Sequence, residues 1–527
     1  MDLKIVPTYR RRGVGRRPER APVLEHHLGP AYLQSAMEAA TRTGVLVYPP
    51  LHPEEAIEVR FLDTGDFIFT MLSLGPDHRA HPMFRMKIGG SAGWGGLGKQ
   101  ELVYLDPRAS VGAADAELLV GAITTNVMPG SVGQFGLLAA YNFITPQGWN
   151  SLCMMPLNRP RPDGIPSMSC FVETDWYPQN TEFRSVYEHG EAILLTRDTP
   201  LGQVLFLPRT AVHLLDALPS GSGVLESRET ESGTEIDVVA VRGGYRDGAG
   251  RTPTHENRRA WLPQQARFCP VLEDLHHLGL LLYPPLHTNE GIQLRMGPDG
   301  ELAVTAYRSD DVGAWRPTFV AHVRPGEGVA GAHVAAAADG VEVDEARALL
   351  DAVFTELNTP PGTVGLRASH RLATPDGFDT LVTAVFNEVT RPYVAPLTTR
   401  IETAGAPREV ACWYHLQPGM VFSLVGDAPI GQAIFLSNEP LLTKEASPLE
   451  EERFATTQER YWTARGAKEQ TTNYGATFTY HYRDHQKARR DGTDGALPAL
   501  QDAAMDPGPR PPPAAGPGTS AGRRRRR

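Results

Sequence analysis

Cysteine is scarce in this sequence: the 527 residues include four, and no two of them form a Cys-x-x-Cys pair. A structural zinc site or a disulfide framework needs several cysteines at close, regular spacing. We therefore expect neither, and the sequence assigns no metal ion. The thiols of Cys153, Cys170, Cys269 and Cys412 are predicted to be buried and reduced.

Long hydrophobic runs are also missing. No segment reaches the ~20 apolar residues that a membrane-spanning helix requires. Residues 1–4 lack the basic-then-apolar order of a secretory signal. The composition, 41% hydrophobic and 21% charged, is typical of a globular protein in water. We predict a cytoplasmic protein without a membrane span.

Positive charge is depleted from the part of the chain that is expected to fold. The sequence has 51 Lys and Arg against 61 Asp and Glu, and 11 of its arginines lie in residues 10–20 and 523–527. A protein body that reads nucleic acid normally has a basic face, so we do not expect the folded part to bind nucleic acid. The terminal arginines are instead predicted to attract an acidic partner.

What the sequence does contain is an internal duplication. The pentapeptide Tyr-Pro-Pro-Leu-His occurs at residues 48–52 and again at residues 283–287, 235 positions later. Further along, the matches continue at an offset of 229, as in Thr-Pro-x-Gly at 145–148 and 374–377. Because the matches keep one register over a long stretch, they indicate two copies of one domain.

Each copy is predicted to be mainly β. Short apolar runs separated by Gly, Pro, Asp and Asn are typical of antiparallel sandwiches and barrels. Helices are predicted over residues 28–43, 113–127 and 342–358. The predicted fold is therefore a β-rich pair of tandem sandwich- or barrel-like domains with one or two helices each.

The predicted domain boundaries follow the repeats and the shifts in composition. They are a flexible basic N terminus over 1–22, copy one over 23–208, a linker over 209–262, copy two over 263–445, a charged segment over 446–486 and a disordered Pro/Gly/Arg tail over 487–527.

Copy one contains a pair of carboxylates that copy two lacks. It has Glu-Thr-Asp-Trp at residues 173–176, where copy two has Glu-Thr-Ala-Gly at 402–405. On a strand, Glu173 and Asp175 would share one face. We therefore predict a small-molecule site in copy one, with Glu173, Asp175 and His52 as candidate catalytic groups. A solvated strand edge and a histidine that only closes a turn are the alternatives.

The candidate substrate-binding residues are Trp176, Arg60 and Asn158. Arg60 and Asn158 recur in copy two as Arg295 and Asn387, and the tryptophan does not. A glycine-rich segment at 93–100 approaches a phosphate-binding loop but has Gln where that loop needs Ser or Thr for magnesium. The sequence therefore assigns no cofactor-binding residues and leaves the cofactor unknown.

Copy one also has an ordered series of short motifs. They are Thr-Pro-x-Gly at 145–148, Asn158, Glu-Thr-Asp-Trp at 173–176, Gly-Glu at 190–191 and Pro-x-Gly-Gln at 200–203. This series resembles a bacterial domain family of unknown function, marked by Glu-x-Asp-Trp and a later Gly-Glu-Pro. Ala192 follows Gly-Glu here, which departs from that pattern. The resemblance covers about half of each copy and implies a shared fold but no catalytic residues.

Three kinds of function are compatible with these features. The first is a small-molecule-binding protein or enzyme, with bacterial specialised metabolism as its setting and its pocket in copy one. The second is a structural or assembly protein that uses the pseudo-twofold pair as an interface. The third is a protein that binds anionic partners through its arginine-rich tail.

Overall fold

The computed structural model describes residues 1–8, 11–22, 35–75, 79–89, 99–109, 111–128, 133–159, 164–216, 225–230, 233–256, 262, 267, 269–310, 312–337, 341–388, 394–471 and 477–491. It confirms a mainly β fold with a few short helices and several separate sheets. The described strands form no closed barrel. None of the described helices is long and apolar enough to cross a membrane.

The first part of the chain, through copy one, is built from short strands. They are β1 (Asp2–Pro7), β2 (Val45–Val47), β3 (Glu55–Phe61), β4 (Phe67–Leu74), β5 (Ala80–Gly89), β6 (Lys99–Leu105), β7 (Thr124–Met128), β8 (Gly133–Leu138), β9 (Tyr141–Ile144), β10 (Trp149–Met154), β11 (Ser167–Met168), β12 (Cys170–Val172), β13 (Glu182–Tyr187), β14 (Ala192–Thr196) and β15 (Gly202–Pro208), with helices α1 (Ser35–Thr41) and α2 (Ala113–Ile123).

The following part of the chain repeats this series. Its elements are β16 (Thr210–Leu215), β17 (Ser227–Thr230), β18 (Gly233–Arg242), α3 (Pro270–Glu273), β19 (Leu280–Leu282), β20 (Glu290–Met296), β21 (Leu302–Ser309), β22 (Trp315–Val323), β23 (His333–Ala337), α4 (Val343–Val353), β24 (Phe354–Leu357), β25 (Thr363–Arg367), β26 (His370–Ala373), β27 (Phe378–Thr383), β28 (Thr399–Ile401), β29 (Ala411–His415), β30 (Val421–Val425) and β31 (Gly431–Ser437). Short 3-10 turns lie at Asp274–His277 and Val329–Gly331.

The C-terminal segment adds a few more elements. They are β32 (Leu442–Glu445), α5 (Pro448–Gly466), β33 (Gln470–Thr471), β34 (Thr477–Phe478) and α6 (His481–Arg490).

The two copies have the same sheet order. Copy one has a sheet β14-β3-β4-β5-β6, and copy two has β30-β20-β21-β22-β23. A second sheet is β12-β10-β15-β2 in copy one and β28-β27-β31-β19 in copy two. A third, β13-β8-β7, corresponds to β29-β25-β24, with β11 added at the edge in copy one.

The copies pack against each other through equivalent residues. A buried apolar cluster joins Leu152 and Leu205 of copy one to Leu381 and Ile434 of copy two. Each pair is separated by the repeat offset of 229, so the contact is pseudo-symmetric. Since burying a leucine contributes about 1.5–3 kcal/mol, this cluster is a main source of cohesion between the copies.

Strands that flank each copy pair with strands of the other. Strand β1, which precedes copy one, pairs antiparallel with β9 of copy one and parallel with β32 at the end of copy two. In the same way β18 pairs antiparallel with β26 and parallel with β16, which follows copy one. Each copy therefore completes a sheet of the other.

The structure differs here from the predicted flexible N terminus and linker. Residues 2–7 form β1, in which Leu3 is fully buried, and residues 209–262 contain β16, β17 and β18. These segments are ordered because their strands pair with strands of both copies. The duplication also extends into both segments. Arg-x-Gly-x-Gly-Arg at residues 11–16 matches the same series at 246–251, again 235 positions later.

The predicted helices are shorter in the structure. Of residues 28–43, Ser35–Thr41 are helical and 23–34 lie outside the described residues. The helices predicted over 113–127 and 342–358 end at Ile123 and Val353, where the backbone continues directly into β7 and β24. Of the predicted tail, residues 487–490 belong to α6, and 492–527 lie outside the described residues.

Two asparagines join the copies by reciprocal hydrogen bonds. The Asn158 Nδ2 donates to Thr398 O (2.8 Å), and Thr398 N donates back to its Oδ1 (2.6 Å). Asn387 makes the equivalent pair with Ser169, at 3.1 and 2.7 Å. Both asparagines have a positive φ, 55° and 60°. Each side-chain amide pairs with a backbone N–H and a backbone C=O of the other copy, as a strand backbone would.

We expect Asn158→Gly and Asn387→Gly to lower the free energy of unfolding by a similar amount, about 1–3 kcal/mol each. Glycine accepts the positive φ, so the loss reports the buried backbone groups left without partners. Urea unfolding followed by circular dichroism measures it. If both variants fall within about 0.5 kcal/mol of the parent, as surface substitutions do, the amide bonds do not hold the copies together.

Candidate functional site

The carboxylates predicted as catalytic lie in a buried turn and not on a strand. Residues 174–176 form a turn after β12, closed by hydrogen bonds from Trp176 N and Tyr177 N to Glu173 O. Glu173, Asp175 and Trp176 are 4%, 1% and 0% exposed. The turn therefore does bring the predicted acidic pair and the tryptophan together, but away from solvent.

Glu173 is paired through both carboxylate oxygens. Its Oε2 accepts from Trp176 Nε1 at 2.5 Å and lies 3.4 Å from Arg209 Nη2. Its Oε1 accepts from Gln486 Nε2 at 2.7 Å. The carboxylate thus links the turn to helix α6, more than 300 residues away in the sequence.

Both carboxylate oxygens of Asp175 are paired as well. Its Oδ1 accepts from Arg209 Nη2 at 2.9 Å, and its Oδ2 accepts from Gly148 N at 3.0 Å. Burial raises the pKa of Asp175, and the charge of Arg209 opposes that rise. Neither oxygen is left open to a substrate.

Helix α6 covers this turn. The ring of Tyr482 stacks on Trp176 with centroids 5.4 Å apart. Gln486 bridges Glu173 and Asp274, with 3.1 Å between its Nε2 and Asp274 Oδ2. Burial raises the pKa of Asp274, and Arg483 on α6 opposes the rise through an ion pair.

This covering explains why the carboxylate pair occurs in one copy. In copy two the equivalent Glu402 is exposed, and Ala404 and Gly405 replace the aspartate and the tryptophan. Helix α6 contacts the turn of copy one and the neighbouring Tyr177, α3 and Asp274, and Tyr461 of α5. Glu173 and Trp176 thus form the docking surface for the C-terminal helix. All four carboxylate oxygens of Glu173 and Asp175 are paired, which leaves none open to a substrate.

The structure does not bring His52 and Arg60 to this cluster. The side chain of His52 is exposed, and its backbone N donates to Glu55 Oε2 at 2.8 Å. Arg60 is exposed on β3 and pairs with Glu58 at 3.0 Å. Neither is among the contacts described above for Glu173 and Asp175.

The repeated Tyr-Pro-Pro-Leu-His anchors the N-terminal segment of each copy. Tyr48 donates to Glu19 at 2.7 Å, with the Arg16 guanidinium 4.7 Å from its ring centroid. In copy two, Tyr283 donates to Glu256 at 2.9 Å, and Arg251 lies 4.4 Å from its ring. Because both copies make the same contacts, we assign the pentapeptide a structural role.

An Arg–Glu ion pair beside the pentapeptide also occurs in both copies. Glu55, which holds the backbone N of His52, pairs with Arg11 at 2.8 Å. In copy two Glu290 pairs with Arg246 and accepts from His287 N at 3.0 Å. The histidine position is therefore fixed through its backbone in both copies.

A cavity of about 330 Å³ lies between the two copies, and we call it the inter-copy cavity. Its wall comes from equivalent stretches of both copies and from the end of β29. These wall residues are 154–159, 164, 166, 167 and 169 in copy one, and 383–388, 394–398, His415, Gln417 and Met420 in copy two. Asn158 is the predicted site residue that lines it.

The wall of the inter-copy cavity is mainly apolar. Leu157, Phe386 and Leu397 are among its side chains. Several of its polar groups are already paired: the two asparagines bond to backbone, and Thr383 lies 3.0 Å from Thr398 between their hydroxyl oxygens. A wall of this kind suits a small apolar molecule with few polar groups.

Metal chemistry finds no support among the described residues. They contain no cluster of three or more His, Cys, Asp or Glu side chains that could hold an ion. The four cysteines are free, and three of them are buried.

Comparison with known proteins does not identify a family. No protein-family model matches the sequence, and no curated protein matches it. Among solved structures, the chain is similar to the 2'-deoxycytidine 5'-triphosphate deaminase from Agrobacterium tumefaciens at 10% identity, with 84% of this chain and 99% of that chain covered. The TM-score is 0.23, which is too low to carry a conclusion about fold or function.

Proposed function

We propose that this protein binds a small, mainly apolar molecule in the inter-copy cavity. The observation that carries the proposal is the cavity itself, at the junction of two packed domains. Its volume of about 330 Å³ falls within the roughly 300–1,000 Å³ range of ligand pockets, which occur preferentially at such junctions.

This proposal moves the binding site from copy one to the contact between the copies. The carboxylate oxygens of Glu173 are already paired with Trp176, Arg209 and Gln486 of α6. In the inter-copy cavity, the backbone-bonded asparagines leave apolar side chains to contact a ligand. Binding is favoured over catalysis, because the wall residues that the structure describes include neither a nucleophile beside a base nor a pair of carboxylates.

The proposal is tested with 2-naphthol, a small aromatic probe. We expect one molecule to bind per chain, measured by calorimetric titration. Ala384→Trp places an indole in the wall and should weaken binding at least about tenfold, since it fills the space the probe needs. Ala314→Trp, which adds the same side chain at an exposed turn, is the matched control.

Two outcomes would overturn the proposal. One is the absence of measurable 2-naphthol binding to the parent protein. The other is equal binding by the parent and by Ala384→Trp, which would place the probe elsewhere on the surface.

The binding of an acidic partner by the arginine-rich tail is a separate hypothesis. Residues 523–527 lie outside the described residues, so the attraction of an acidic partner stays a prediction from charge alone. The assembly hypothesis likewise stays a prediction, since the strand exchange seen here is internal to one chain.

A further inference from the structure

His415 is a polar residue of the cavity wall that differs between the two copies, as do Arg159 and its equivalent Glu388. His415 ends β29, and the equivalent residue of copy one, at the end of the same motif in β13, is Val186. The pseudo-symmetric wall therefore carries an imidazole on the copy-two side only. Such an asymmetry gives a bound molecule a defined orientation.

The imidazole of His415 has no hydrogen-bond partner among the described residues. Its Nδ1 is fully buried without a partner. The ring packs on Gly362, where an added Cβ would lie 3.4 Å from Nδ1 and 3.2 Å from Cε1. Nε2 is the nitrogen that is not enclosed in this way. Burial lowers the pKa of His415, so the ring is neutral at pH 7.

Arg159 is the other wall residue with an unpaired nitrogen. Its Nε is buried without a partner, but its Nη2 lies 3.4 Å from Pro22 O. Its charge also acts on Glu19 and Tyr48, which are not part of the wall. The guanidinium is thus directed toward the N-terminal segment, whereas His415 is a wall residue whose ring has no hydrogen-bond partner among the described residues.

We infer that the ligand of the inter-copy cavity is an apolar molecule with a single hydroxyl group that hydrogen bonds to His415 Nε2. This inference rests on the proposed function. A hydroxyl both donates and accepts, so it pairs with Nε2 in either tautomer of the neutral ring. A neutral ligand group suits a mainly apolar wall, because a buried charge has to be paired.

A cycle of two probes and two proteins tests the inference. The probes are 2-naphthol and 2-methylnaphthalene, in which a methyl group replaces the hydroxyl. The proteins are the parent and His415→Val, which carries the copy-one residue. We expect the ratio of the two dissociation constants to shift at least about tenfold toward 2-methylnaphthalene in His415→Val, the size of one lost hydrogen bond. The cycle cancels the different hydration of the probes.

Two further variants separate a specific contact from a general disturbance. His415→Gln keeps a polar group near the Nε2 position and should restore part of the preference for 2-naphthol. His322 lies on β22 and pairs with Glu301. His322→Val should leave the ratio of the two dissociation constants unchanged. Retained binding of 2-methylnaphthalene by His415→Val shows that the variant is folded.

The outcomes distinguish this inference from the proposed function. If the parent binds neither probe, the proposed function fails. If the parent binds both probes and His415→Val leaves their ratio unchanged, the cavity stands as a binding site and the hydroxyl contact is wrong.

Discussion

Trp176→Ala is expected to lower the free energy of unfolding by about 3–5 kcal/mol, as for other fully buried large side chains. The indole is 0% exposed, stacks on Tyr482 and donates to Glu173. Its loss leaves a cavity under α6 and removes one donor from a buried carboxylate. Urea unfolding followed by circular dichroism measures the change. Hydrogen exchange over residues 481–490 should rise at the same time, because α6 loses the stacking contact of Tyr482 with Trp176.

Trp315→Ala is the matched control for this experiment. Trp315 is 45% exposed, so the same truncation should cost much less. If Trp176→Ala is no more destabilising than Trp315→Ala, or if the exchange of α6 is unchanged, α6 does not depend on the copy-one turn.

Arg209→Met is the second substitution with a large expected effect, about 3–5 kcal/mol. Arg209 is the cation that contacts both Glu173 and Asp175, and its removal leaves two buried carboxylates without a counter-charge. Methionine keeps much of the volume, so the loss reports charge more than packing. Thermal and urea unfolding at pH 7 measure it.

A second substitution should relieve part of this loss. Asp175→Asn, added to Arg209→Met, removes one uncompensated charge and should recover stability relative to Arg209→Met alone. Arg60→Met, which breaks an exposed ion pair with Glu58, is the control and should cost less than about 1 kcal/mol. Equal losses for Arg209→Met and Arg60→Met would contradict the buried network.

The fold class was predictable because it depends on local patterns that the sequence repeats. Gly44 and Gly279, for example, directly precede the equivalent strands β2 and β19. Their φ angles are +72° and +68°. A Cβ there would lie within 2.2 Å of Val204 O or 2.0 Å of Ala433 O. Only glycine satisfies such a position, so its recurrence marks the same turn twice.

The strand exchange was not predicted, although a signal for it was present. An Arg/Pro-rich N terminus has the composition of a flexible segment, and the prediction depended on that composition. The match between residues 11–16 and 246–251 was the signal that it left out. The pairing of β1 with β32 joins residues more than 400 positions apart. No periodicity in either strand indicates such a partner.

The candidate site was predictable only in part. The sequence grouped Glu173, Asp175 and Trp176, and the structure does place them together. The sequence could not show that Gln486 and Tyr482 cover these residues, because that contact depends on tertiary folding. The inter-copy cavity was indicated by Asn158 alone, since a space between packed domains leaves no pattern along either strand.

The most direct test of this account is a crystal structure of the protein soaked with 2-naphthol. We predict electron density for the probe between residues 154–159 and 383–388, with its hydroxyl oxygen within hydrogen-bond distance of His415 Nε2. Helix α6 should remain docked on Trp176. Density for the probe beside Glu173 and Asp175, with α6 displaced and the inter-copy cavity empty, would contradict the account.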